Sequence, residues 1–149
     1  MEDSDIHEHE QRRPLGMTLL GGLYLFFFLL TVSSFGQPMP FFGAIWQGTT
    51  AGVLVFLDSL ICLYLFLGLM KRQSLTWYLL LGYNAFEVAN TVTNLLVITS
   101  ADLEKIVGEK VDPAGLLTSN ISVIVAIILL SGFIFHQRSF FTNRSKYLF

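Results

Sequence analysis

Charge is what this chain has least of: 13% of its 149 residues are Asp, Glu, Lys or Arg, against 53% that are hydrophobic. That balance lies outside the usual soluble range. Cysteine is scarcer still. Cys62 stands alone, so no internal disulfide can form, and there is no C-x-x-C pair for redox or zinc chemistry. This excludes the quinone-linked disulfide-forming enzymes, which are also small four-helix membrane proteins, and leaves Cys62 as a small apolar packing residue. Histidine is missing from the apolar runs. His7 and His9 lie in the acidic N-terminal stretch and His136 near the other end, and one His-x-His pair is short of the ligand count of a metal centre. No Ser/His or Cys/His pair, phosphate loop or haem-ligating histidine occurs in the runs. Neither a metal nor a cofactor is expected, no catalytic residue is assigned, and an intramembrane enzyme is the weakest of the possible classes.

What the chain has instead is long hydrophobic runs: Leu15 to Phe35, Ala44 to Met70, Leu75 to Thr99 and Leu116 to Phe135. Each is near or above the ~20 residues a helix needs to cross ~30 Å of hydrocarbon. The first is longer than a signal-peptide core, and the Met1 to Glu10 stretch before it is acidic rather than basic, so it reads as a retained helix. The expected fold is all-α: a polytopic membrane protein built as an up-down antiparallel bundle of four transmembrane helices. The expected organisation is a disordered tail over 1–13, a transmembrane domain over 14–137 and a basic tail over 138–149. Within the domain, helices are expected at about 15–35, 44–70, 75–99 and 113–136. A short outer-surface helix is expected over about 101–107, where Leu103, Ile106 and Val107 recur at helical spacing, Ser100 can cap and Gly108 can stop it. Asp112-Pro113 reads as an N-cap followed by proline at the first helical position.

Basic residues are placed asymmetrically. Arg12, Arg13, Lys71, Arg72, Arg138, Arg144 and Lys146 flank one set of helix ends, whereas only Lys105 and Lys110 flank the other, among Asp102, Glu104, Glu109 and Asp112. The positive-inside rule then puts both termini and the Lys71-Arg72 turn in the cytoplasm, in a plasma (inner) membrane. Trp46 and Trp77-Tyr78 fall near the expected interfaces, where amphipathic rings are favoured.

Two acids interrupt the runs. A carboxylate at the bilayer centre costs roughly 2.5–3.5 kcal/mol on insertion scales, so it needs a partner or a task. Asp58 shares a stripe of the second helix with Gln47, Ala51, Cys62 and Leu65, opposite Phe56, Leu60, Leu63 and Leu67. On the third helix Asn84, Glu87, Thr91 and Asn94 follow three-four spacing with Asn90 on the flank, opposite Leu81, Ala85, Val88, Val92 and Leu96. Small and polar residues on one stripe and bulky apolar ones on the other distinguish a buried face from a lipid face. Asp58 lies thirteen positions before Lys71 and Glu87 fifteen after Arg72, so their depths differ by only ~3 Å. The seam Asp58, Glu87, Asn84, Asn90, Thr91, Asn94 is therefore the candidate site. It is either hydrogen-bond glue, with the acids bonded to Asn84, Asn90 and Asn94, or a proton or cation relay. Gly48 and Gly52 form a G-x-x-x-G, expected to pack inside the bundle.

Arg13-Pro14-Leu15-Gly16-Met17-Thr18 before the first helix, with Lys71-Arg72 and Trp77-Tyr78 at the central turn, resembles small uncharacterised four-helix integral membrane proteins of archaea and bacteria. The resemblance covers the first helix and the central turn. It implies the four-helix architecture and assigns no activity. The expectation is a structural or accessory membrane protein whose partners are the lipid bilayer and a second copy or another membrane protein, with no nucleic acid. The alternative is an oligomeric proton- or cation-coupled transporter or channel using Asp58 and Glu87.

Overall fold

The computed structural model describes residues 15–144. In chain order these form α1 (Leu15–Ser33), β1 (Met39–Phe41), β2 (Ala44–Trp46), α2 (Gly48–Met70), α3 (Ser74–Val97), α4 (Ser100–Val107) and α5 (Pro113–His136), followed by a 3-10 turn over Gln137–Phe140. The stretch with His7 and His9, and Lys146, lie outside the described residues. Three helices, α1, α2 and α5, are long and apolar enough to cross a membrane. α3 matches them in length with 24 residues but falls short in apolar content, because Asn84, Glu87, Asn90 and Asn94 all lie on it.

The helix ends have local causes. The hydroxyls of Ser33 and Ser34 both donate to the Leu30 carbonyl, at 2.6 and 3.0 Å, competing with the backbone ladder where α1 stops. The first helix therefore ends at Ser33, short of the expected 35. α2 starts at Gly48 instead of 44, because residues 39–46 form an antiparallel hairpin pairing Met39 with Trp46, Pro40 with Ile45 and Phe41 with Ala44. Its two turn residues, Phe42 (φ 45°) and Gly43 (φ 80°), both take the positive φ that a tight mirror-image hairpin turn requires. α4 begins one residue earlier than expected. Its cap is Thr99, which shares a reciprocal capping box with Asp102, and it ends on Gly108 in the left-handed region. Asp112 caps α5 by accepting from the N–H groups of Ala114 and Gly115.

α1 packs antiparallel along α2, and α3 antiparallel along α5, each more extensively than α2 along α3. All four meet in one core at the end carrying the α2–α3 turn, where Leu20, Tyr24, Leu65, Leu80 and Ile134 are essentially inaccessible. Gly68 sets the closest approach there. A Cβ at Gly68 would run into the side chain of Thr76 across the turn. By contrast, a Cβ at Gly48 or Gly52 would meet nothing within 4 Å. Among the described residues, then, neither glycine of that G-x-x-x-G is in close contact with a neighbouring helix; Gly48 opens α2 just after the hairpin.

The expected basic tail over 138–149 does not leave the bundle at once. Asn143 bridges to Gln73, the Ser74 N–H donates to the Asn143 carbonyl at 2.8 Å, and the Asn143 N–H donates to the Arg72 carbonyl at 3.1 Å. Arg72 Nε donates to the Phe140 carbonyl at 2.9 Å and Ser74 Oγ to that of Phe141 at 2.8 Å. The segment after α5 straps the α2–α3 turn.

Candidate functional site

The polar side chains of α3 rise through the bundle in three layers. Nearest the common core, buried Asn84 accepts from the Tyr24 hydroxyl at 2.8 Å and donates to Ser131 Oγ at 3.0 Å. One amide therefore ties α1, α3 and α5. Ser131 in turn donates to the Ile127 carbonyl of its own helix, which leaves every polar atom of this layer a partner.

The next layer is built on Asp58. One carboxyl oxygen accepts from the Tyr83 hydroxyl of α3 at 2.8 Å and the other from Thr31 Oγ1 of α1 at 3.3 Å. Tyr83 also contacts the thiol of Cys62 at 3.4 Å. Cys62 is buried and belongs to the polar layer as much as to the apolar packing. Of the expected bonds from the acids to Asn84, Asn90 and Asn94, Glu87 has one to the Asn90 side chain of its own helix, whereas Asp58 is served by Tyr83 and Thr31, and Asn84 by Tyr24 and Ser131.

In the third layer Asn90 and Asn94 face the hairpin. Asn90 Oδ1 accepts from the Phe42 N–H at 2.9 Å, and Asn94 Oδ1 from the Gly43 N–H at 2.7 Å. Asn94 Nδ2 donates to Asn90 Oδ1 at 3.2 Å and to the Pro40 carbonyl at 3.3 Å. The two amides hold the turn in the shape its positive φ values demand. A left-handed φ at a bulky residue such as Phe42 persists only where surroundings over-determine it. Phe42 also packs edge-on against Phe86 of α3, with ring centroids 5.4 Å apart.

Glu87 is differently placed. It lines a cavity of ≈ 320 Å³ together with Asn90, Thr91, Asn94, Asn120, Leu103 and the hairpin residues Met39 and Pro40. Thr91 donates to the backbone carbonyl of Glu87 at 2.8 Å and not to its carboxyl. Asp58 lines a separate cavity of ≈ 230 Å³ with Thr31, Ser34 and Gln37. Met39 and Pro40 of strand β1 line both cavities, one holding each carboxyl. Among the described residues no cluster of three or more His, Cys, Asp or Glu could hold a metal ion.

Outside the long helices, half-exposed Asp102 is held below the usual carboxylate range. The cause is first the Thr99 hydroxyl, then the Thr99 backbone N–H, with Lys105 adding charge from 3.6 Å.

Tyr24, Thr31, Tyr83 and Ser131 lie off the polar stripes of the second and third helices. Tyr24 and Thr31 lie on the first helix, whose near-uniform Leu and Phe content marks no face, and Ser131 lies on the equally uniform last one. The available signal was the hydroxyls themselves, isolated within otherwise apolar runs. Comparison with protein-family models, curated proteins and solved structures finds no match to this chain, so its function is argued from its own residues.

Proposed function

We propose that this chain is an integral membrane protein that crosses the bilayer four times, with both termini on the side of the Lys71-Arg72 turn, and acts as a structural or accessory component. The observation that carries the scaffold reading is the wiring of the seam. Tyr24–Asn84–Ser131, Thr31–Asp58–Tyr83 and the Asn90–Asn94 contacts to the hairpin each join different elements. α3 counts as the fourth span because its polar stripe turns inward, away from lipid, and its partners α2 and α5 are themselves spans. Trp77 at its start donates to the Ile134 carbonyl near the end of α5 at 3.0 Å, which fixes the antiparallel pairing. The basic residues on the turn side favour a cytoplasmic placement of that side, in a plasma (inner) membrane. The partner is another membrane protein or a second copy.

Glu87 favours a second reading, a proton- or cation-coupled oligomer, because it alone of the two acids lines a cavity without a cross-helix side-chain donor among the bonds described above. The full chain in proteoliposomes with an entrapped pH-sensitive dye separates the two. The scaffold reading expects Asp58→Asn and Glu87→Gln to insert normally, with proton and cation leak equal to wild type. Flux in the wild type that either amide abolishes, and that Asp58→Glu or Glu87→Asp partly keeps, overturns it.

A further inference from the structure

The end of the bundle that carries the α2–α3 turn has a cavity that the seam does not use. It measures ≈ 790 Å³ and is lined by Arg138, Arg144, His136, Ser139 and Thr142, with Trp77 and Tyr78 as aromatic walls. No Asp or Glu lines it. The acids of the described residues lie in the seam or beyond it, at 102, 104, 109 and 112. The site is held in shape by the strap: Ser74 fastens Phe141 and Asn143, and Arg72 fastens Phe140. The Arg138 guanidinium lies 5.0 Å from the centre of the Trp77 ring. Arg138, held over that ring, loses little freedom when it binds an anion.

A second observation says what else the ligand carries. Between α2 and α3 runs an apolar groove of ≈ 690 Å³ lined by Leu57, Leu60, Ile61, Leu79, Gly82 and Phe86, and Tyr78 lines both groove and cavity. From Tyr78 to Phe86 the groove follows α3 for ~12 Å of helix rise. A basic, hydroxyl-rich cavity that shares one aromatic wall with an apolar groove matches a headgroup joined to an acyl chain.

We propose that this is a binding site for one phospholipid with an anionic headgroup. The phosphate meets Arg138 and Arg144, the hydroxyls of Ser139 and Thr142 donate to the headgroup, and an acyl chain lies in the α2–α3 groove. A choline headgroup fits less well, because Arg138 already covers the Trp77 face that a quaternary ammonium would need. The inference rests on the proposed membrane embedding of α2 and α3, and it holds whether the seam is scaffold or relay.

The test uses the full chain in nanodiscs of phosphatidylcholine with and without phosphatidylglycerol, and counts the lipids retained after mild detergent extraction by native mass spectrometry. The wild type should retain phosphatidylglycerol preferentially. The preference should fall roughly fivefold for each of Arg138→Gln and Arg144→Gln and weaken as salt is raised. Gly82→Leu, which fills the groove at a position where a Cβ meets nothing within 4 Å, should reduce phosphatidylglycerol retention and leave the binding of inorganic phosphate unchanged. Equal retention of both lipids by the disc-embedded wild type overturns the proposal, as does an unaltered preference in the double arginine variant. Phosphate binding that Arg144→Gln abolishes, with lipid retention indifferent to Gly82→Leu, transfers the site to a soluble phosphate and overturns the lipid assignment. A chain that does not enter discs at all contradicts the membrane reading itself.

Discussion

Asn84 offers the sharpest test of the wiring, because two helices hang on one amide. It is 4% exposed, and its partner Tyr24 is 0% exposed. Asn84→Ala removes the acceptor of the Tyr24 hydroxyl, and an orphaned buried hydroxyl costs about 1–3 kcal/mol. It also removes the bond to Ser131, worth ~0.6 kcal/mol on the average for interhelical bonds in membranes. The expected total is about 2–4 kcal/mol. Tyr24→Phe should be milder, at roughly 0.6–1.7 kcal/mol, since Asn84 keeps Ser131. In the double variant no hydroxyl remains to be orphaned, so its cost should fall below the sum of the singles by about 1 kcal/mol. Reversible unfolding of the four proteins in bicelles, followed by helical circular dichroism, closes the cycle. If the two single costs add to within ~0.3–0.5 kcal/mol, the Tyr24–Asn84 bond carries no coupling and the scaffold argument loses its strongest strut.

Gly68→Ala should destabilise the bundle by about 1–3 kcal/mol by overpacking against Thr76, and Thr76→Ala in the same chain should restore much of the loss in the same unfolding assay. Gly52→Leu should leave the isolated chain's stability within ~0.5 kcal/mol of wild type, because nothing lies near that face; a larger change would mean that the face is covered in an assembly. The α4 cap should respond to acid. The folded pKa of Asp102 is lowered, so its contribution is present above the unfolded value near ~3.9 and disappears as pH falls through the lower folded value. Amide protection factors across Ser100–Val107, corrected for the intrinsic pH dependence of exchange, should therefore hold steady down to about pH 4 and fall below it, and Asp102→Asn should flatten that response.

The parts of this fold legible in the sequence are those written within one element. The inward stripe of α3 shows in its three-four spacing, and Asp112-Pro113 and Gly108 mark helix ends by chemistry that acts over a single turn. Residues 44–46 read as the start of a helix because Ala-Ile-Trp runs straight into the apolar stretch that follows. What makes them a hairpin is the pair of amides on α3, some fifty positions away, that fix the turn. The same distance hid the partners of Asp58. Tyr83 and Thr31 carry no periodic signal, and the choice between them and the asparagines depends on how the helices are rotated about their axes. The strap after α5 escapes for a third reason: every one of its bonds ends on a main-chain carbonyl of the turn or the tail, which side-chain patterning does not report.

Whether α3 crosses the membrane beside α1, α2 and α5, as proposed, is decided by one labelling experiment. Single cysteines at Gln37, Lys105 and Ser139, each in a Cys62→Ala background, are exposed to a membrane-impermeant maleimide added outside intact cells. Four spans place positions 37 and 105 on one side and 139 on the other, so labelling should reach 37 and 105 and spare 139 until the membrane is opened. If only α1, α2 and α5 cross, position 105 moves inside and 139 outside, and labelling of 37 and 139 without 105 would contradict the four-span bundle.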